Sequence, residues 1–427
     1  MRKHKADYSI ALVTLALMAV GLVVIFAIGP QRANFLNSAL GEDRYSENYF
    51  FIHQLISVGL SIFAFIVATK LPLKILHKYA KWIMFLALGL NALLAVLAMA
   101  HSSLAICQLG GCRWIGTAGV SFQPAELLKL ALVIYLADLV ARRKEEGKLE
   151  SFPDFWLPFI LVSGLSLFFV VVLQKDLGTG VTMISIILSI LFVSGVRLRY
   201  FLAAMGVILF AGVMSIVISP HRMERLSTFQ GGGDSDSSYH IDNALLAIGT
   251  GGMFGVGIGN SVQATGYLPE SINDSVFAVM GETFGFFGLL ILVLAFAFLL
   301  SRLLRMIPFL EMEDGAIVAG VFGWVIAQLI VNVAAMTGLI PLTGITLPLL
   351  SYGGTSMMFV AYALGMALQA SSFTSRRSAL SGRSASLPDA LLLRRTSSTA
   401  QSATPGASHN TPDKTALWRR GGRRDRR

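Results

Sequence analysis

Charged residues are scarce in this chain. Asp, Glu, Lys and Arg make up 14% of its 427 residues, where a soluble protein carries about 25%. That is too little polar surface to cover a globule of this length, so a water-soluble fold is excluded. Cysteine is nearly absent: two residues rule out a disulfide-built scaffold, and the seven scattered histidines offer no structural-zinc spacing. No repeat of about 20 to 50 residues and no inverted-repeat symmetry is visible. What dominates is apolar, 55% of the chain with a mean hydropathy of +0.69. That excludes a disordered or fibrous chain and points to an all-α polytopic integral membrane protein, because lipid offers the backbone no hydrogen-bond partners outside a helix.

Crossing a bilayer takes about 20 mostly apolar residues. About ten stretches qualify, at residues 8 to 28, 52 to 69, 82 to 100, 124 to 141, 156 to 173, 178 to 195, 200 to 219, 275 to 300, 315 to 337 and 354 to 371. The charges of the QKDLG segment between the fifth and sixth are costly in hydrocarbon and mark a tight turn. MRKHKAD before the first span, with no small-residue cleavage pattern after it, reads as an uncleaved signal anchor with its N-terminus inside. Ten spans then return the C-terminus to the cytoplasm. Of the 34 Lys and Arg, 27 fall on the assigned inner segments and 6 outside, while Lys129 lies within a span. This is the asymmetry the positive-inside rule expects. The formal charge of +10 therefore signals topology and not nucleic-acid binding. Twelve of those cations lie in a Ser-, Thr- and Ala-rich tail from residue 372 that cannot bury a core. It reads either as a solvated end or as a clamp for anionic lipid or a cytoplasmic partner.

Two outside segments hold the polarity. Cys107 and Cys112 in CQLGGC are spaced to allow a disulfide without requiring one. Residues 220 to 274 between spans seven and eight form a loop far longer than a connector needs. Within it, IDNALLAIGTGG has helical spacing and predicts a short helix lying along or re-entering the membrane. The glycine run GTGGMFGVGIGN follows no strand, so a nucleotide-binding reading is poor. Each charge near a span mouth has a structural and a functional reading. Glu126 and Lys129 share a helix face as a neutral pair or as a site. Glu282 reads as a packing carboxylate or as a membrane-embedded group with a function. Arg222 and Arg225 anchor the interface or bind phosphate. Asp274 is a helix cap or a general base. Lys175 and Asp176 occupy the tight turn, and the Pro-rich YGG segment before the tenth span either turns the chain or walls a cavity.

RWIGTAGVSFQPAELLKL, QKDLGTG, HRMERL, AIGTGGMFGVGIGNSVQATGYLPESINDSVFAVMGETFG and GLIPLTGITLPLLSYGGTS occur in the order found in the SEDS family of shape, elongation, division and sporulation proteins. The resemblance covers residues 8 to 371 and favours the family's cell-division branch over its elongation branch. It implies a 1–371 glycosyltransferase domain, while the 372–427 basic tail, cytoplasmic by the count of spans, falls outside it. It also implies an inverting peptidoglycan glycosyltransferase that polymerises lipid II at the outer face of the bacterial inner membrane, at the division septum. The implied partners are a class B penicillin-binding protein transpeptidase and other division membrane proteins. A flippase for the same lipid and a noncatalytic division scaffold are the alternatives. The family's essential aspartate corresponds to Asp274, the general base, and its QPSE carboxylate to Glu126. Arg222, Arg225, Arg113, Lys129, Glu126, Lys175, Gln263, Glu270 and Ser351 are the expected substrate contacts. The family's lysines are replaced by Ala264 and Thr343, NDSVF stands for TDFIF, and the DPW after the arginines is missing. This leaves the arginines, or a divalent cation such as Mg or Mn, to hold the pyrophosphate.

Overall fold

The computed structural model describes residues 2–3, 6–108, 111–117, 121–217 and 236–374. HRMERL with Arg222 and Arg225, the head of the long loop and the basic tail lie outside the described residues. Each of the ten expected segments is helical: α1 Tyr8–Leu40, α2 Tyr49–Lys70, α3 Leu73–Met99, α4 Pro124–Glu145, α5 Leu157–Leu167, α6 Leu177–Ser194, α7 Leu198–Val217, α9 Val276–Met306, α10 Met312–Met336 and α11 Gly354–Ser371. The loop helix is α8, Asp236–Gly251. π-helical turns at Phe152–Trp156 and Phe168–Leu173 extend α5 at both ends. Seven of the helical segments are long and apolar enough to cross a membrane: Tyr8–Leu40, Tyr49–Lys70, Leu73–Met99, Phe152–Leu173, Leu177–Ser194, Val276–Phe309 and Met312–Met336. α4 falls short of that apolarity because it carries Glu126, Lys129 and Asp138, all buried within the bundle.

The helix ends follow local chemistry. The Asp176 carboxylate accepts from Thr179 N at 3.0 Å and starts α6. Pro124 opens α4 where its missing N–H costs nothing. Gly41, at φ 69°, closes α1 in the left-handed region. α1 runs twelve residues past its expected end, through Pro30, because the QRANFLNSAL segment has an apolar stripe of its own. From it Gln31 Nε2 reaches the Gly259 carbonyl at 3.0 Å.

α4 and α10 occupy the interior, α10 packing on α6, α4 and α9 and α4 on α3 and α6. Phe63, Trp82, Phe85 and Ile291 on the outer helices are more than two-thirds exposed or close to it, as lipid-facing side chains are. Without a hydrophobic drive between helices in lipid, small residues set the close contacts. Gly365 of α11 lies directly against the Phe65 carbonyl of α2.

The all-α expectation needs one correction. Between α3 and α4 the chain forms a three-stranded antiparallel sheet, with β2 Ala105–Gln108, β3 Gly111–Gly116 and β4 Ser121–Phe122. Cys107 and Cys112 face each other across it and are disulfide-bonded. The β-branched Ile106 and Ile115 and the aromatic Trp114 suit a pleated ribbon. β1 Arg2–Lys3 and β5 Phe373–Thr374 make a second short antiparallel pair.

Contacts sort the loops into two ends. At one, Arg302 pairs with Asp7, whose N–H donates to Ser371 Oγ at 2.9 Å, and Lys144 Nζ donates to the Ser194 carbonyl. Residue 7, Arg302 in the last turns of α9 and the end of α11 therefore share an end, and Lys144 Nζ, 4.0 Å from Met312 Sδ at the start of α10, brings the end of α4 to it. At the other, Tyr352 N donates to the Ile272 carbonyl at 2.8 Å and Asn332 reaches Asp274.

Candidate active site

The glycine run and α9 are spliced together. Gly285 interrupts α9 at φ 67°, ψ −166°, which frees backbone groups on both sides of the kink. Residues 252 to 257 take them up. Val256 and Gly257 N–H donate to the Glu282 and Thr283 carbonyls at 2.9 and 3.1 Å, and Phe286 and Phe287 N–H donate to Gly252 and Met253. No side chain fits at Gly255 or Gly285, whose backbones meet, and both need the positive φ that glycine supplies cheaply. These glycines thus serve backbone approach, not phosphate.

Glu282 completes the splice. Its carboxylate accepts from Ser261 Oγ, from Val262 N at 2.9 Å and from Gln263 N at 3.3 Å, which pins the following loop to α9. Gln263, one of the expected contacts, is buried in a short 3₁₀ turn there. From Leu268 the loop turns through Glu270, held at φ 48°, and delivers Asp274 just before α9.

Asp274 is not the cap of that helix. The capping position is Ser275, and Asp274 is 8% exposed with a buried Oδ1 that has no hydrogen-bond partner among the described residues. Burial, reinforced by the Glu270 charge and partly offset by Ser275, pushes its carboxyl up to about 7. The backbone is fixed around it. Asn332 of α10 donates from Nδ2 to the Asp274 carbonyl at 2.7 Å and to the Ile345 carbonyl at 2.8 Å. Ser275 Oγ donates to the Pro269 carbonyl, so His240 Nε2, 2.6 Å away, is the donor to Ser275. Neither Asn332 nor His240 was singled out from sequence. The available signal for Asn332 was an amide, one of two with Gln328, inside an otherwise apolar span.

The cationic residues reach the same end by a second route. Ile345 backs onto Gly178 in the first turn of α6. Arg113, displayed by β3 beside the disulfide, lies 3.8 Å from Asp176 Oδ2 and donates to the Lys175 carbonyl at 3.3 Å. Lys175 is exposed, at φ 54°. Among the described residues, three of the four non-glycine residues with positive φ, Lys175, Glu270 and Leu349, thus sit in the loops around Asp274, where backbone strain tends to mark function. Arg113 Nε, Gln174 Oε1, Thr343 Oγ1, Asn332 Oδ1 and Asp274 Oδ1 are buried without hydrogen-bond partners among the described residues, an accumulation that calls for a polar ligand.

The remaining expected contacts have partners of their own. Ser351 is buried and its Oγ accepts from Leu347 N at 2.8 Å, which shapes the loop. Glu270 is exposed, bonded to Asn273 and 4.0 Å from Arg32. Lys129 Nζ binds Glu126 Oε1 at 2.8 Å and stands 4.7 Å over the Trp324 ring. Trp324 lies eight residues, about 12 Å, along α10 from Asn332, so this pair is deep in the bundle. A polar depression of about 340 Å³ lined by Asn34, Asn37, Ser38, Gly41, Glu42 and Asp43 touches none of these groups.

Known proteins are similar to this chain in sequence and in fold. The chain is 30% identical over 378 residues to stage V sporulation protein E of Bacillus subtilis, covering 87% of this chain and 99% of that one. It is 32% identical over 372 residues to a protein of Coxiella burnetii named probable peptidoglycan glycosyltransferase FtsW, covering 85% and 95%. Among solved structures, a chain from a peptidoglycan synthase complex described as coordinating polymerization and crosslinking superposes with a TM-score of 0.66 at 23% identity, covering 86% and 97%. The rod shape determining protein RodA of Thermus thermophilus superposes with a TM-score of 0.61 at 25% identity, covering 86% and 96%. The profile of cell cycle proteins that unites FtsW, RodA and SpoVE matches residues 8–376, effectively the whole helical body, and the chain belongs to that family.

Proposed function

We propose that the chain is an inverting peptidoglycan glycosyltransferase that polymerises lipid II, with Asp274 as general base. The observation that carries this reading is a buried carboxyl with one oxygen unpartnered and its pKa near 7, held by the same loop framework that carries Arg113 and Lys175. A sugar hydroxyl is a weak nucleophile, and a base with a pKa near the working pH contributes about 10²- to 10⁴-fold. Asp274 takes the proton of the acceptor hydroxyl as its oxygen bonds to the donor's anomeric carbon. The bond from that carbon to phosphate breaks, and the polyprenyl pyrophosphate leaves with the electron pair. One displacement without a covalent enzyme intermediate inverts an α-linked donor to a β-linked product.

The departing pyrophosphate needs positive charge. Arg113 and Lys175 supply it from the β3 and α6 side, with Arg222 and Arg225 as further candidates in the loop that carries Asp274. A divalent ion such as Mg²⁺ or Mn²⁺ fits here only as a shared ligand. Asp274 belongs to no group of three donor side chains among the described residues, so an ion would rest on its carboxylate and on pyrophosphate oxygens, the usual manner for Mg²⁺.

The end bearing Asp274 is the outer one in this reading, because the Lys- and Arg-rich segments gather at the other. Residues 1–371 form the catalytic membrane domain and 372–427 a basic cytoplasmic tail. Similarity to a chain from a synthase complex and to proteins named FtsW supports a crosslinking partner of the class B penicillin-binding type and a septal role. Purified protein given labelled lipid II, with and without that partner, is expected to form glycan chains, and Asp274→Asn to form none while still binding the partner. Full-rate polymerisation by Asp274→Asn would remove the base assignment. Lipid scrambling in liposomes without polymer would replace the enzyme by a flippase.

A further inference from the structure

At the end of the bundle opposite Asp274, three helices bring together groups that the proposed reaction does not use. His77 from the first turns of α3, Asp138 from the last turns of α4 and Glu313 from the first turn of α10 each offer a ligand atom, all within 4.8 Å of one another. Nineteen residues of α10, about 28 Å, separate Glu313 from Asn332, so this cluster is distinct from the candidate active site. We propose that His77, Asp138 and Glu313 bind a divalent transition-metal ion of the Zn²⁺ type, which ties α3, α4 and α10 together at that end.

His77 carries the case. It is 4% exposed, and neither ring nitrogen has a hydrogen-bond partner among the described residues, an unusual state for a buried imidazole. Its Nδ1 lies 3.1 Å from Glu313 Oε1 without hydrogen-bond geometry. Two donors that approach without bonding each other are placed to share a cation. Zinc bonds of about 2.1 Å in a tetrahedron put ligand atoms about 3.4 Å apart, so the His77–Glu313 edge is already closed. Rotation of the Asp138 or Glu313 carboxylate within the 4.8 Å limit closes the others. Arg142 Nε pairs with Asp138 Oδ1 at 2.8 Å and orients that carboxylate, the part an outer-shell partner plays in metal sites. One imidazole with two carboxylates favours zinc-like ions over Mg²⁺ or Ca²⁺, which prefer oxygen alone. Glu313 is partly open to solvent, which provides an entry path and room for a water as fourth ligand.

The test uses the full-length, tag-free protein, stripped by chelator and held in detergent or nanodiscs. Zn²⁺ alone is titrated against a competing fluorescent chelator, and Co²⁺ is added in parallel to read its visible d–d absorption. One equivalent of Zn²⁺ and an intense tetrahedral-type Co²⁺ band are expected. His77→Gln and Glu313→Gln should each weaken binding at least tenfold, while Asp274→Asn binds as the parent does. The Co²⁺ band of the parent protein decides the matter even if a variant fails to fold. Absence of that band, or stoichiometric Zn²⁺ binding unaltered by both folded variants, overturns the assignment. Polymerisation by the metal-stripped protein bears on the glycosyltransferase reading alone, so the two proposals fail separately.

Discussion

Asn332 is the joint between Asp274, the proposed base, and the rest of the candidate site, and removing it is the sharpest test of how the site is held. Its Nδ2 satisfies two buried backbone carbonyls, those of Asp274 and Ile345. Each such hydrogen bond contributes about 0.5–1.5 kcal/mol net, and a buried acceptor left unsatisfied costs about 1–3 kcal/mol. Asn332→Ala should therefore release about 2–4 kcal/mol of constraint, felt at the two loops and not across the bundle. Displacement of a catalytic group by about 1 Å costs on the order of 10²-fold in rate, so kcat for lipid II polymerisation should fall by about that factor with a smaller change in KM. Asn332→Asp should do worse than alanine, because it points an acceptor at two carbonyls while keeping the side chain's shape. The assay is steady-state polymerisation with thermal unfolding measured beside it. If Asn332→Ala keeps wild-type kcat while remaining folded, the clamp has no part in placing Asp274 and the argument for a preorganised base collapses.

Asp274→Asn should abolish polymerisation and yet raise Tm above pH 7. The folded-state pKa near 7 lies above the ordinary value of 3.8, so the protonated carboxyl stabilises the fold at low pH and that stability is lost as pH rises through 7, about 4 kcal/mol in all. Asparagine avoids that loss, and a variant no more stable than the parent at pH 8 would contradict it. In the parent, the rate should climb about tenfold per pH unit below 7 and level off above, as a single base requires; a flat profile from pH 5 to 8 would count against it. Glu282→Gln should lower stability by about 2–3 kcal/mol through lost charge-assisted bonds to the 261–263 loop, seen as a lower Tm and as faster amide exchange at Val262 and Gln263. Reducing the Cys107–Cys112 bond should cost about 2 kcal/mol locally, by the loop-entropy estimate for so short a ring. It should raise KM for lipid II through Arg113, and an unchanged KM would show that Arg113 does not bind substrate.

All ten helical segments were legible in the chain, and so was the turn at Lys175 and Asp176. In lipid every backbone group must be satisfied within its own segment, so apolar length alone dictates a helix. The position of Asp274 beside α9 was equally readable, since it lies two residues before the first apolar residue of that span, Val276. Whether it capped the helix was not, because capping depends on which carbonyls and amides of the neighbouring loop come within reach. The same limit hid the strand pairing of 105 to 122, where a few residues and a disulfide outweigh the helical tendency of the rest. It also hid the purpose of the glycine run, which only the kink at Gly285 explains.

The amino-acid order alone determined the number and place of the apolar helices and the lopsided distribution of Lys and Arg, since both rest on the free energy of single segments meeting lipid or water. Only tertiary packing decided that Asn332 would hold Asp274, that Glu282 would be taken up by backbone amides, and that His77, Asp138 and Glu313 would meet. Each of these convergences joins residues far apart in the chain, and their meeting is set by how whole helices pack and not by any local preference.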